Sequence, residues 1–396
     1  MNHDLQTEII ATYRGWDALE KSLYGSEIID FDLTRIKKKK DFFSRSEILK
    51  NLEELQSETL VSDWVSEFAS KRLKASIFYL RACLGEVIPF SEYIENTLGI
   101  IPEIFPDSYL DKSLEKLNLA CQNLGFEYSS VYKEKYESIC VVQDDTLIRN
   151  NIESNIVKWA EKLDKYVTIS CKKPISISFT SVDAYWANWT SGSLDNGFLL
   201  KINLHPRIKY SRGSLSMLAL HEYCAHLIQG MNWLELSAHG KLDDVCSFTT
   251  VHGPETFLTE GLAESLSYAL IDNEDELDFH ELLSQCLMRY KNLVNHNVHY
   301  MINQGCSFNE VMNYCKARSP FDSDIKIEKE IQDRSLKPLN RVYQFVYGVS
   351  QDYFLEKFVD FDEVSKRKCL LSLYQRPYTK SQLDVLMSSI KSFTGV

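Results

Sequence analysis

The chain has 396 residues, 44% of them hydrophobic and 25% charged, with a formal net charge of -12 at neutral pH. That length and apolar content suffice for a large buried core, in one big domain or two interlocked lobes. The acidic balance argues against nucleic acid as a partner, because phosphate recognition wants a basic footprint.

The run from Arg35 to Lys40 is the one basic cluster, and it reads as a solvated face. No run of about eighteen apolar residues exists to cross a membrane. The first residues lack a basic start followed by an apolar run, so no secretory signal is expected. Ten cysteines are scattered without a C-x-x-C pair. They are expected to be reduced thiols of a cytoplasmic protein.

In chain order, residues 1–165 are expected to be helical. Apolar positions recur at three and four in Ile48–Leu55, Trp64–Leu80 and Leu114–Leu124, and Ile152–Tyr166 continues the pattern. The character changes near Lys172. The stretch Pro174–Thr180 alternates apolar and polar residues, which predicts a strand. A loop with Gly192, Asn196 and Gly197 follows, and then a second strand, Phe198–Leu204. Together they suggest a hairpin or antiparallel edge, with Phe198–Leu204 offering its edge to an extended peptide. Ser214 or Ser216 would cap a helix ending at Gly230. Further helices are expected from after Pro254 to Leu270, and over Glu276–Val294, Phe308–Ala317 and Leu339–Phe358, with a helical hairpin around Pro377. The fold class is mainly α with a small mixed or antiparallel β-sheet. Residues 1–165 and 166–396 would form one compact unit.

The helix containing His221-Glu222-Tyr223-Cys224-Ala225-His226 carries the pattern H-E-x-x-x-H. The zinc peptidase form H-E-x-x-H places its histidines at i and i+4, on one helix face. In a regular helix i+5 lies about 140° from the start, against about 40° for i+4. A π-bulge between the two histidines would restore a shared face. A catalytic zinc site wants three protein ligands and an open position. Thr259-Glu260-Gly261-Leu262-Ala263-Glu264 supplies the third, Glu260, with Glu264 one turn further on the same face. Glu264 could accept the other ring N–H of a ligand histidine. Glu222 would act as general base. Cys224 should pack on the far side of that helix. His205, His239, His252, His280, His296 and His299 lack ligand spacing, although His252 could approach the cleft.

H-E-Y-C-A-H followed by T-E-G-L-A-E resembles the gluzincin metallopeptidases, and its spacing is that of the dipeptidyl peptidase III family. The resemblance implies His221, His226 and Glu260 as zinc ligands. A second resemblance covers more of the chain, to bacterial gluzincin-like proteins with an H-E-x-x-P-G-H-H helix. It runs through Phe90–Tyr93, Trp186–Trp189, Ile202-Asn203, Glu260–Ala263 and Arg341–Gly348. This chain lacks the Pro-Gly pair, and Leu227 stands where the second paired histidine would be. The resemblance implies a cleft between helical lobes and a tyrosine on a late helix, Tyr343 or Tyr347, that polarises the scissile carbonyl. Arg341 would clamp a carboxylate. Asn188 and Trp189, with Tyr185 and Trp186, would line a pocket. The expected activity is hydrolysis of an amide bond in a short peptide or peptide-like molecule by zinc-activated water, with Glu222 as base. A zinc-dependent step on a non-peptide metabolite and a non-catalytic binding protein are the alternatives. Cobalt, manganese or iron could fill the same ligand set. Oligomeric state is left open.

Overall fold

The computed structural model describes residues 1–168, 175–183 and 187–391. Cys171, Pro174, Tyr185 and Trp186 lie outside the described residues.

Short polar residues start many of the helices by accepting a hydrogen bond from a first-turn N–H. Asn2, Ser44 and Asp63 open α1 (His3–Tyr24), α2 (Arg45–Glu58) and α3 (Trp64–Cys83). The N-terminal helices continue as α4 (Phe90–Leu98), α5 (Asp107–Gln122), α6 (Tyr132–Cys140) and α7 (Asp145–Asp164). After the sheet segments comes one long rod: α8 (Arg212–Leu218), a π-helical segment (Ala219–Leu227) and α9 (Ile228–Ala238). Then follow α10 (Thr256–Leu270), α11 (Phe279–Asn303), α12 (Phe308–Arg318), α13 (Asp324–Leu336), α14 (Pro338–Asp360), α15 (Glu363–Leu373) and α16 (Lys380–Lys391). No described helix is long and apolar enough to cross a membrane.

The strands are β1 (Ile29–Asp32), β2 (Ile175–Thr180), β3 (Asn188–Ser193), β4 (Gly197–Asn203) and β5 (Phe248–Thr250). They form a mixed sheet in the order β2-β4-β3-β1-β5. The expected hairpin of the two apolar segments is corrected here: β2 runs parallel to β4. The hairpin is β3–β4, so the residues read as a loop around Gly192 are a strand. Asn-Trp-Thr-Ser-Gly-Ser carries no apolar alternation, and ladders on both flanks hold it instead. β4 is therefore an interior strand, with both hydrogen-bonding sides used, and offers no edge to a peptide. β1 comes from the N-terminal portion and pairs with β3 and β5, so both portions build one sheet.

The motif helix also differs from its expected bounds. Ser211 caps it, in a reciprocal pair with Ser214. It runs through Gly230 to Ala238, because Gly230 lies against the Phe198 ring, 3.0 Å from where its Cβ would stand. The stop comes at Gly240, whose φ of 67° is the left-handed conformation that glycine adopts without strain.

Buried polar contacts tie the layers together. Arg72 of α3 is fully buried and donates to the carbonyls of Val245 and Phe248 and to Glu255. Trp159 of α7 donates to Ser216 of α8, which donates to Glu281 of α11. α14 approaches α11 closely at Gly348, where an added Cβ would stand 2.7 Å from the His296 Cβ and 2.9 Å from the Asn292 carbonyl oxygen. The basic run is neutralised locally: Lys37 meets Asp195, Lys38 and Lys40 meet Glu8, and Arg35 meets Asp244.

His252, His296 and His299 are core residues, not cleft residues. His252 stacks on Tyr79 with ring centroids 4.3 Å apart and hydrogen-bonds Ser76 at 2.9 Å. Burial pushes the pKa of His252 and His299 down to about 3 and that of His296 to about 4. All three folded values lie below the ordinary 6.5, so the unfolded chain binds more protons in between. Their stabilisation is present above about 6.5 and is lost as pH falls toward the folded values. In urea unfolding, the stability of wild type relative to a His252→Phe variant should fall by on the order of 2 kcal/mol between pH 7 and pH 5, a difference in which the raised carboxylates elsewhere cancel. A difference that stays constant across that range would contradict the burial of His252 as a neutral ring. Gly348→Ala should destabilise the protein by about 1–3 kcal/mol in the same assay, by forcing α14 off α11.

Candidate metal centre

The π segment is what brings the two histidines together. Its i→i+5 hydrogen bonding, seen in the Ile228 N–H to Tyr223 carbonyl bond, stacks residues five apart. His221 and His226 therefore share a face, with ring centroids 4.8 Å apart. The opposite face packs in the core: Cys224 is fully buried, and Tyr374 donates to its carbonyl at 2.9 Å.

The ligand-capable atoms of His221, Glu222 and His226 lie within 4.8 Å of one another, a group that could hold a metal ion. Glu260 on α10 comes nearer still. Its Oε2 is 3.6 Å from His221 Nε2 and 3.9 Å from His226 Nε2. Donors around a tetrahedral zinc stand about 3.3 Å apart, so this trio is close to ligand spacing. Glu260 Oε2 is buried and makes no hydrogen bond, whereas Glu222 Oε1 accepts one from Asn188. Glu222 Oε1 is 3.9 Å from His221 Nε2. The oxygen left without a partner is thus the one closest to both imidazoles.

The surroundings orient these groups. His221 Nδ1 lies 3.4 Å from Glu264 Oε1, which turns Nε2 toward Glu260. Glu264 accepts from Asn292 at 2.8 Å, and Gln351 bonds both the Glu264 carbonyl and Asn292. Tyr343 donates to Glu260 Oε1 at 3.3 Å, and its ring meets Tyr347 edge-on at 5.4 Å.

Electrostatics follow from the packing. Among the described residues no lysine or arginine pairs with Glu222, Glu260 or Glu264. Burial raises Glu222 and Glu264 to about 7, and burial plus the other two carboxylates raises Glu260 well above its ordinary value. Burial lowers His221 to about 4 and His226 well below 6.5. A divalent cation would relieve this repulsion, and two neutral imidazoles with a partnerless carboxylate oxygen fit one.

The other sequence candidates divide between the cluster and positions away from it. β3 alternates, so Asn188 and Thr190 face Glu222 while Trp189 lies on the other face of the sheet. Arg341 bonds Asn303 and the Ile88 carbonyl and stacks on Tyr93, so its guanidinium is committed away from the cluster. His205, His239 and His280 make no contact with the cluster among the described residues. Asn292 and Asp30 were not legible in advance. Asp30 stands close enough to raise Glu222 and Glu260, and no local motif marks either residue. A cavity of about 670 Å³ opens onto His221, Glu222 and Asn188.

No family model matches this chain, and neither does any curated protein. Among solved structures, a candidate lipoprotein from Colwellia psychrerythraea superposes with a TM-score of 0.58 at 13% identity, over 89% of this chain and 67% of that one. A candidate lipoprotein of unknown function from Shewanella oneidensis gives 0.49 at 15% identity, over 88% and 71%. The first of these shows a shared fold, and no family assignment follows.

If the centre binds metal, Glu264→Gln should lower its affinity for zinc by about 10–100-fold, because the amide holds the His221 ring less firmly. A chelator-competition titration reads this directly. Unchanged affinity would mean that Glu264 does not orient His221.

Proposed function

We propose that this chain is a zinc-dependent hydrolase of gluzincin type that cleaves an amide bond in a short peptide or peptide-like molecule. The observation that carries the reading is the convergence of both histidine Nε2 atoms on the buried, partnerless Oε2 of Glu260, with the Glu222 carboxyl beside them. His221, His226 and Glu260 would hold the ion. Zinc supplies Lewis acidity there, which polarises a carbonyl and acidifies water.

The chain's own residues do the rest. Glu222, held by Asn188, takes a proton from the attacking water and passes it to the leaving nitrogen. The C–N bond breaks, the hydroxyl stays on the acyl carbon, and the products are an acid and an amine. Tyr343 fixes Glu260, and Tyr347 beside it is the candidate donor to the carbonyl oxygen as charge develops.

Elemental analysis of the purified protein should find about one zinc per chain, absent from Glu260→Ala. Glu222→Gln should keep the metal and lose turnover of a peptide library by about 10²–10⁴-fold. Wild type that takes up no metal when zinc is offered sinks the reading. Turnover of esters or small amides, but of no peptide, would move the substrate to a non-peptide metabolite.

A further inference from the structure

The cavity of about 670 Å³ that opens onto His221 and Glu222 has apolar walls beside the centre. Two helices, α8 and α11, pack side by side to build them. On the first, Met217 and Leu218 line the cavity four and three residues before His221. On the second, Leu287 and Met288 line it five and four residues before Asn292, which bonds Glu264. Residues three and four apart share a helix face, so each apolar pair sits about one turn from a group of the centre. Tyr132 and Phe321, with ring centroids 5.0 Å apart, extend the same wall.

Met217 and Leu287 are buried, and Leu218 and Met288 are half-buried. Every lysine that lines the cavity is exposed, as residues at a mouth are. The charged groups thus stand outside and the apolar ones inside, next to the histidines. The volume falls in the range of small-molecule sites, about 300–1,000 Å³. Apolar walls around such a space make their dispersion contacts only with an apolar guest. Two of the four wall residues from α8 and α11 are methionines, whose unbranched, polarisable side chains adapt to guests of different outline.

We propose that this slot between α8 and α11 is the specificity pocket of the centre, and that it takes a large apolar side chain, aliphatic or aromatic. The substrate class is then a short peptide or N-acyl amino acid amide in which leucine, methionine or phenylalanine adjoins the bond that is cleaved. Calling the guest part of a substrate rests on the hydrolase reading, whereas the apolar site does not. A helical turn rises about 5.4 Å, and neighbouring residues of a peptide stand about 3.8 Å apart. A carbonyl held at the ion therefore brings an adjoining side chain to the slot. A small side chain leaves the walls uncovered, and a charged one loses water there without gaining a partner.

The test uses metal-free protein, so that zinc itself cannot bind the probe. N-acetyl-phenylalaninamide, N-acetyl-alaninamide and N-acetyl-lysinamide are titrated by calorimetry against wild type, Met288→Leu, Met288→Trp and Met288→Asp. Val157→Trp, on the exposed face of α7, is the control. Wild type should bind the phenylalanine probe roughly tenfold or more tighter than the other two, as burial of an aromatic side chain requires. Met288→Leu and Val157→Trp should keep that preference. Met288→Trp fills the slot and Met288→Asp charges it, so both should lose it; cooperative melting checks that each is folded, and either folded variant decides. Equal binding of the three probes by wild type, no binding of any, or a preference that survives filling or charging the slot overturns the proposal. The preference in a protein that takes up no zinc would remove the hydrolase and leave the pocket. Zinc uptake without the preference would do the reverse.

Discussion

Three carboxylates, Glu222, Glu260 and Glu264, are packed around two imidazoles in the interior, with no lysine or arginine against them among the described residues. Groups of like charge at such distances in a poor dielectric cannot all ionise unless a proton or a cation joins them. The carboxylates sit where they do because elements distant in the chain press them together. Glu260 and Glu264 ride on α10, which packs against α14 on one side and the π segment on the other. The hydrogen bonds around them, from Tyr343, Asn292 and Gln351, all come from α11 and α14. Each of these neutral donors holds an oxygen in place without cancelling its charge, which leaves the centre electrostatically open to a metal.

Geometry at the first ligand pair depends on a helix that is not α-helical. Five residues separate His221 from His226, and only the wider π turn stacks them. The wider turn also lets Leu220, Cys224 and Leu227 stay buried on the opposite side, so the departure from α geometry does not expose apolar surface. The turn just before it is anchored through Ser216 and Glu281 to α11. A helix clamped at this point presents its histidines on a rigid element, which a metal site needs.

The cavity extends the same logic outward. α11 lines this cavity with Leu287 and Met288 and reaches the centre through Asn292, which bonds Glu264. The fold shared with the Colwellia protein carries no chemistry by itself, because function resides in the site and not in the architecture.

Much of the centre was legible in the chain. His221, Glu222, His226, Glu260 and Glu264 stand out because metal chemistry restricts residue types and helix periodicity restricts spacing, and both are local properties. The need for a π turn followed from counting residues. Most long helices were legible for the same reason, although α13 and the run of the motif helix through Gly230 were not. A glycine reads as a stop unless one knows that Phe198 and Phe31 lie against it. The sheet was the weakest part. β1 and β5 are too short to announce themselves, β3 has no apolar pattern, and the parallel pairing of β2 with β4 is a contact between segments. Which of two adjacent residues, Asn188 or Trp189, would face Glu222 depended on the register of β3. The sequence by itself determined which side chains could bind a metal and on which helix faces they lie. Tertiary structure alone decided which of their oxygens lacks a partner, and that Asp30 and Asn292 stand nearby. Strand register and burial arise from hydrogen bonds and excluded solvent between residues far apart in the chain, and no local pattern records them.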